Sequence, residues 1–493
     1  MPSSMSGMNK SALPGKNGQE PFRHRGKGLF CFALILGLLL TFLIPPFDSP
    51  DELTHFQNVW AIGHGQVFTR EYWAEGKLAL PAGFAPLMDE YPVRLMGVEN
   101  QEKCSWDMLF RQSMEYVPDG KMMPAEGRIF SFGYLFSALG MAIASGLGSL
   151  LGLFWLHSPY IQLLFGRMSN WIFFVLVMRA AVRKEQPFRQ TLFLLAVMPM
   201  CLFLGATLNY DAILIPVSFY LFASILSCMQ NNFQNGPERL TSGDYIRLVL
   251  CALFLCGIKA VYVCLMLLFL LLPRETLEGP DRSGVKHRIT ILLAAAIGFV
   301  LAGIPYLVPA GGATGYAAEQ VAWLTAHPLA LPGIILRTFW KDAASLIIGF
   351  WGCFGWLDVH IPRIFLIVGW IILLGTAVLE CCTFPFPLSW RKRLPGLIAS
   401  VLVYCVLCTL QYISHAPKVN GNIIGGDYSI GFQGRYLIPC FLPFLLTFAN
   451  GSLSRKRPEL VPSLKKKAAV VAAVWSACCC LITVITLLTR YWV

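Results

Sequence analysis

Apolar runs of about 18 to 24 residues recur along the chain, broken by short polar stretches. Each such run is long enough to cross a hydrocarbon core of ~30 Å at 1.5 Å per residue. The spans drawn on this pattern are 28–46, 159–182, 190–207, 212–229, 245–258, 260–273, 289–309, 363–382, 395–413, 435–450 and 468–489. The pattern predicts an all-α, polytopic membrane protein with about eleven transmembrane helices. It lacks the short alternating strands that a membrane β-barrel requires. The pair 245–258 and 260–273 is expected to cross as two short runs of ~20 Å each. A single 28-residue span would be the alternative, but it would carry Arg274, Arg282, Lys286 and Arg288 to the outer side.

Composition agrees: of 493 residues 56% are hydrophobic and 13% charged, and the mean hydropathy is +0.60, far above that of a soluble domain. The net charge of +12 does not mark a nucleic-acid binder, because the basic residues are concentrated in short loops between spans. With the N-terminus in the cytoplasm, 1–27, 183–189, 230–244, 274–288, 383–394 and 451–467 lie inside and carry 22 of the 39 Lys and Arg residues. That is the positive-inside distribution. Residues 28–46 are too long for a signal-peptide core and end in Pro45-Pro46, so they are expected to be a retained anchor. Counting the Gly/Ser-rich segment 131–156 as a span would invert every later loop. It is therefore expected to be an interfacial or re-entrant helix, or a hairpin returning to the same face, and 343–357 is treated likewise. The chain then divides into a basic cytoplasmic tail (1–27), a main transmembrane domain (28–450) and a basic loop with the last helix (451–493).

Three segments face outward: 47–158, 310–362 and 414–434. The first holds 13 acids against 7 bases, which predicts a folded, net acidic outer region with interfacial helices. Most of the sixteen cysteines sit inside apolar runs as small hydrophobic filler. Cys104 and Cys353 alone fall in long loops and are the candidates for a disulfide.

The first outer loop opens PPFDSPDELTHFQNVWAIGHG, Pro45 to Gly65. Ser49 with Glu52 predicts a capping box, Pro50 suits the first helical turn, and Leu53, Phe56, Val59, Trp60 and Ile62 form an apolar stripe. Asp51 and His55 share a face, with Asp48 just upstream. Glu52 can be read as a cap and Asp51 as a charge favoured at a helix N-terminus. The same carboxylates and His, held where a span meets the surface, could instead position a general base. Asn209, Tyr210 and Asp211 form a tight outer turn, readable as an Asx turn or as the source of a second acid. Lys259 stands between two apolar runs, where a charge costs ~3 kcal/mol on insertion scales. Snorkelling to the outer surface is the plain account of it. Arg435 opens one outer-facing span and Arg167 lies near the same end of another. Neither serves as an inside-positive anchor, and a phosphate needs fixed positive charge.

The strings PDELTHF, NYDA at 209–212, FGWLDVHIP at 354–362 and FQGRYLIP at 432–439 resemble, in order and spacing, a family of bacterial predicted membrane proteins, domain of unknown function 2142. That family is similar to the GT-C superfamily of glycosyltransferases. The resemblance implies a polyprenyl-phosphate-linked sugar as donor, interfacial helices in the first outer loop, and a catalytic acid there, a role falling on Asp51 or Glu52 with His55 beside them. Asp48, Arg167, Asn209, Tyr210, Asp211, Lys259, Trp356, Asp358, His360, Gln433, Arg435 and Tyr436 are the expected substrate-binding set. Within it Trp356 would stack on a sugar ring and Asp358 bond its hydroxyls, while Arg435 and Lys259 would hold the phosphate. The adjacent acids are not a D-x-D triplet, so a divalent metal is not supported and no other cofactor is implied. The resemblance places the protein in the bacterial cytoplasmic membrane, active face outward, acting on an envelope glycan, glycolipid or protein acceptor. A lipid-linked glycan flippase or other transporter would need polar residues through the depth of the spans, which are almost purely apolar. An envelope polysaccharide polymerase or ligase shares the outward cations without necessarily needing Asp51.

Overall fold

The structure is a computed structural model that describes residues 20–125, 129–236, 240–272, 276, 284–307, 314–414 and 424–493. The tail up to residue 19 and parts of the loops at 274–288, 308–313 and 415–423 lie outside the described residues. The protein is an all-α, polytopic membrane protein. Seven described helical stretches are long and apolar enough to cross a bilayer: Phe132–Leu151, Pro159–Arg183, Asp211–Asn235, Arg363–Cys382, Trp390–Ser414, Gly434–Lys456 and Pro458–Tyr491. Exposed apolar side chains give the lipid-facing side. Ile364, Ile367, Ile371 and Val378 are 57–68% exposed along one edge of a helix whose other edge buries Leu366, Leu373 and Ala377. Such a belt cannot face water over this length.

Helix α1 (Glu20–Leu43) leads into the first loop, which folds as α2 (Glu52–Gly63), strand β1 (Leu78–Pro81), α3 (Ala85–Arg94), α4 (Trp106–Met114), strand β2 (Met122–Ala125) and α5 (Leu135–Leu151). β1 and β2 pair antiparallel, Leu78 opposite Ala125. Then come α6 (Pro159–Arg183), α7 (Arg189–Ala196), α8 (Pro199–Gly205), α9 (Asp211–Asn235) and α10 (Ser242–Ile258). The expected 190–207 span is thus broken at 197–198, where Pro199 starts a new helix because it cannot continue the old one.

The expected segments are largely helical over their described residues, and the short pair has a specific solution. α10 climbs from the Lys184–Asp244 ion pair to Lys259, about 25 Å at 1.5 Å per residue. The chain turns there and returns as a 3-10 helix, Ala260–Leu271. At ~2.0 Å per residue its twelve residues cover about 24 Å, nearly the length of α10. Thr276 then rejoins the basic end, accepting from Leu240 N at 3.2 Å.

The later chain adds α11 (Gly284–Leu307), α12 (Thr314–Ala326), α13 (Ala330–Trp351), the hairpin of β3 (Cys353–Phe354) and β4 (Val359–His360), α14 (Arg363–Cys382), α15 (Trp390–Ser414), α16 (Ile438–Leu445), α17 (Ser452–Lys456) and α18 (Val461–Tyr491). The expected 435–450 span is a composite, with α16, which contains Pro443, flanked by 3-10 turns. At the basic end Glu380 of α14 accepts the first backbone N–H groups of α7, from Gln190 and Thr191 at 2.9 and 3.0 Å. At the other end the last turn of α18 is fastened to the first loop. Cys104 N donates to Tyr491 O at 2.7 Å, and Trp106 stacks on Trp492 with centroids 3.6 Å apart.

Length and hydropathy alone would admit α5 as a span, but its packing says where it stops. Ser131 meets the Ile258 carbonyl at the far end of α10, and Ser137 bonds Asn170 in the upper half of α6. Gly148 then lies against His157, just before α6 begins. α5 therefore runs antiparallel to α6 from Phe173 back to the start of that helix, and it does so as one helix, not a hairpin. The expected 343–357 segment is the end of the 22-residue helix α13 followed by the β3–β4 hairpin. Gly352 reaches Pro199 inside the bundle, and the hairpin brings the chain back to the start of α14.

The expected disulfide is absent: Cys104 lies beside the Tyr91 hydroxyl and Cys353 beside His360, and both are free thiols.

Candidate functional site

The site is built where α2, α5, α9, the Lys259 turn and the loop before α16 converge, at the end of the bundle opposite the basic loops. α2 starts at Glu52, with Asp51 in the left-handed region (φ 64°) and no side-chain cap. The expected capping box is not formed. Ser49 Oγ is buried without a partner, and Glu52, as the first helical residue, turns its side chain away from the helix start.

Glu52 turns to Arg167. Both side chains are fully buried, with Arg167 Nε 2.9 Å from Oε1 and Nη2 2.5 Å from Oε2. The remaining guanidinium donors go to the Thr41, Ile44 and Pro45 carbonyls at the end of α1, and Glu52 Oε1 also accepts from Leu208 N. Five donors are the whole complement of an Arg side chain. Arg167 has none left for a phosphate, and Glu52 is neutralised where no acceptor hydroxyl reaches. The pairing leaves Asp51, which is exposed, as the open acid of the first motif.

His55 lies one turn on from Asp51. Its Nδ1 is 2.6 Å from the Tyr134 hydroxyl, and its ring meets Tyr210 edge-on at 5.0 Å. Burial, with Arg435 and Lys259 repelling a further positive charge, pushes its pKa down to about 3, so His55 is neutral. Tyr134 was not among the sequence candidates; its only signal is its place in the segment that charge distribution keeps on this face.

Asp211 begins α9 and lies 3.7 Å from Arg435 Nε. It is also within electrostatic reach of Lys259 and Asp51. Lys259 Nζ sits over two rings, 4.3 Å from the centroid of Tyr436 and 5.4 Å from that of Tyr210. Lys259 is half-buried and makes no ion pair among the described residues. Tyr262 fixes the Tyr436 backbone by donating to its carbonyl at 3.0 Å. Gly434 lets Arg435 approach α13: a Cβ there would come within 2.1 Å of the Leu346 carbonyl. Asp51, His55, Tyr210, Asp211, Lys259, Arg435 and Tyr436, drawn from three of the four sequence motifs and the Lys259 turn, thus form one cluster.

Asn209 does not offer its side chain to that cluster. Its Oδ1 accepts from Ala212 N at 2.9 Å and its amide donates to Leu204 O and Thr207 Oγ1, the Asx-type turn that starts α9. Asp48 and Asp358 form a second group with Tyr491. Asp358 Oδ2 accepts from Gly97 N at 2.7 Å. Burial, with Asp358 adding repulsion, raises the Asp48 carboxyl well above the usual range against the pull of Tyr491 and Arg490. Each of these acids follows a residue held at positive φ, Phe47 at 59° and Leu357 at 68°, a strained conformation for large side chains. His360 is exposed, 3.6 Å from Cys353 Sγ.

Some of the buried polar atoms without a hydrogen-bond partner lie in or beside the motifs: Asp48 Oδ2, Trp356 Nε1, Asp358 Oδ1, Gln433 Oε1 and Arg435 Nε. Buried groups of this kind are normally satisfied, so each of these atoms has bonding capacity that a ligand or water can complete. No group of three or more His, Cys, Asp or Glu side chains among the described residues has the arrangement of a metal site.

No curated protein and no solved structure matches the chain. Residues 34–445, which contain the whole cluster, match the model of the family described as predicted membrane protein (DUF2142), and the chain belongs to that family.

Proposed function

We propose that the protein is an inverting membrane glycosyltransferase that uses a polyprenyl-phosphate sugar and works on the outer face of the cytoplasmic membrane. The observation that carries this reading is the meeting of Lys259 and Arg435 with Asp51, Asp211 and neutral His55. Two cations face only one buried acid, Asp211, at ion-pair distance, and that acid lies on Arg435. Lys259 is thereby left for an anionic group, and the tyrosine rings below it hold its charge in place. About 25 Å of α10 separates Lys259 from the basic end, so a phosphate bound there would sit at the membrane surface with its prenyl chain in lipid.

The acceptor hydroxyl oxygen attacks the anomeric carbon from the side opposite the phosphate, forming the new C–O bond as the bond to the phosphate oxygen breaks. The hydroxyl proton passes to Asp51, and the electron pair leaves with polyprenyl phosphate, whose charge Lys259 and Arg435 stabilise. A phosphate leaves as an anion, so no general acid is required. The cell-envelope acceptor is a glycan, glycolipid or protein. The test is transfer of labelled sugar from polyprenyl phosphate in reconstituted membranes. Asp51→Asn should abolish transfer while the protein still inserts and melts as wild type, and Lys259→Ala should weaken binding of polyprenyl phosphate itself. Full transfer by Asp51→Asn would sink the assignment of the base, and no phosphate-lipid binding by the wild type would sink the reading.

A further inference from the structure

A concave site lies apart from the cluster, between α2, α5 and the loop before β2. It is a cleft of about 380 Å³ lined by Trp60, His64, Phe84, Tyr116, Ser145 and His157, among others. That volume falls within the ~300–1,000 Å³ of ordinary small-molecule sites. Its walls are Trp60, Phe84, Tyr116 and prolines 81 and 118, and its floor is the small-residue edge of α5: Ala142, Ser145, Gly146 and Ser149.

The polar lining is mostly uncharged. His64 stacks on Trp60 with centroids 4.0 Å apart, its Nδ1 2.9 Å from Trp60 O and its Nε2 2.8 Å from Ser145 Oγ. Gln162 donates to the same Ser145 hydroxyl at 3.0 Å. These bonds rigidify the wall; at the rim Ser149 Oγ lies 3.5 Å from His157 Nε2, and Asp119 Oδ1 accepts from Lys121 N at 3.0 Å. One acid and one base at the rim do not make an anion site or a cation site. A lipid chain would need a lining without His and Ser. Aromatic walls with scattered neutral hydrogen-bonding groups suit a ring that has apolar C–H faces and hydroxyl edges.

The cleft is also rigidly spaced from the cluster. α2 carries His55 in one and His64 in the other, nine residues or about 13 Å apart along the axis. α5 carries Tyr134 at its threshold and Ser145 in the cleft, about 16 Å apart. We infer that this cleft is a saccharide subsite, holding sugar units of a carbohydrate acceptor while its end reaches Asp51. The inference rests on the glycosyltransferase reading for the role of the sugar, though not for its binding.

Gly146 offers a direct test, because it lines the cleft and a Cβ there meets nothing within 4 Å, so a side chain can start from this position without a backbone clash. The probe is a set of fluorescently labelled oligosaccharides released from the host envelope by mild acid, titrated against the full-length protein in nanodiscs. The wild type should bind at least one of them. Gly146→Trp should lower that affinity tenfold or more and Ser149→Ala by a smaller factor. Leu147→Trp, on the adjacent exposed face of α5, should leave it unchanged, and all three variants should retain polyprenyl-phosphate binding. No binding by the wild type, or binding untouched by Gly146→Trp, overturns the inference. Oligosaccharide binding that Gly146→Trp blocks, in a protein that transfers no sugar, would leave the subsite standing and remove the glycosyltransferase reading.

Discussion

Asp51 and Glu52 are neighbours in sequence with opposite fates. Nothing local separates them, because what decides is Arg167, 115 positions further on, and the Leu208 amide. Both side chains of the Glu52–Arg167 pair have 0% exposure, so removing one partner leaves a charge that water cannot reach, at a cost of about 3–5 kcal/mol. Glu52→Gln should therefore lower the melting temperature in detergent and the folded yield, and activity should fall in proportion to the folded protein. Glu52→Leu combined with Arg167→Met should recover much of that loss, since an apolar pair of similar volume avoids desolvating two ions. A stable but inactive Glu52→Gln would return Glu52 to the catalytic set. Asp51 is open to cleaner substitution: Asn tolerates the left-handed backbone at φ 64°, so Asp51→Asn removes charge without adding strain. Lys259 and Arg435 were readable as residues because each is a charge with no topological reason to be where it is. Tyr134 was not, since one tyrosine in an apolar helix carries no such anomaly.

At the scale of elements, hydropathy located every span-length segment but could not tell an α-helix from its alternatives. The 3-10 run after Lys259 is an instance: twelve apolar residues are too few for an α-helix to return through the bilayer, and the greater rise per residue makes up the length. The break at Pro199 was readable as a proline, though Pro443 lies inside a helix that continues past it, so a proline alone does not say whether a helix restarts. Gly434 shows how tightly such elements meet. A methyl group there would lie 2.1 Å from the Leu346 carbonyl and 2.5 Å from the Phe350 amide, and backbone cannot swing aside as a flexible side chain can. Gly434→Ala should push the Arg435 turn away from α13, destabilising the protein by about 1–3 kcal/mol or more and weakening phosphate-lipid binding. Gly375→Ala, on a helix surface where nothing lies within 4 Å, should change neither. Equal behaviour of the two variants in a thermal melt would show that the Arg435 turn is not held by this contact.

For the whole molecule, the charge distribution carried information that hydropathy lacked. α5 satisfies any length and composition test for a span, yet one more crossing there would send the basic loops after α6, α9 and α14 to the wrong side. Its packing fits that count: Gly120 from the loop before β2 and Ser149 near the end of α5 line one cleft. Lys466 lies at the opposite pole, one residue beyond the Lys465 carbonyl that accepts from Gln190 at the start of α7. Single cysteines at these three exposed positions, treated in intact cells with a membrane-impermeant maleimide and compared with the unsubstituted chain, separate the topologies. Gly120→Cys and Ser149→Cys should label before lysis and Lys466→Cys only after it. If α5 crossed, Ser149→Cys would label with Lys466→Cys instead. The cluster around Lys259 would then have no single face to work from, because the Tyr134 end of α5 and the start of α6 would lie on opposite sides of the membrane.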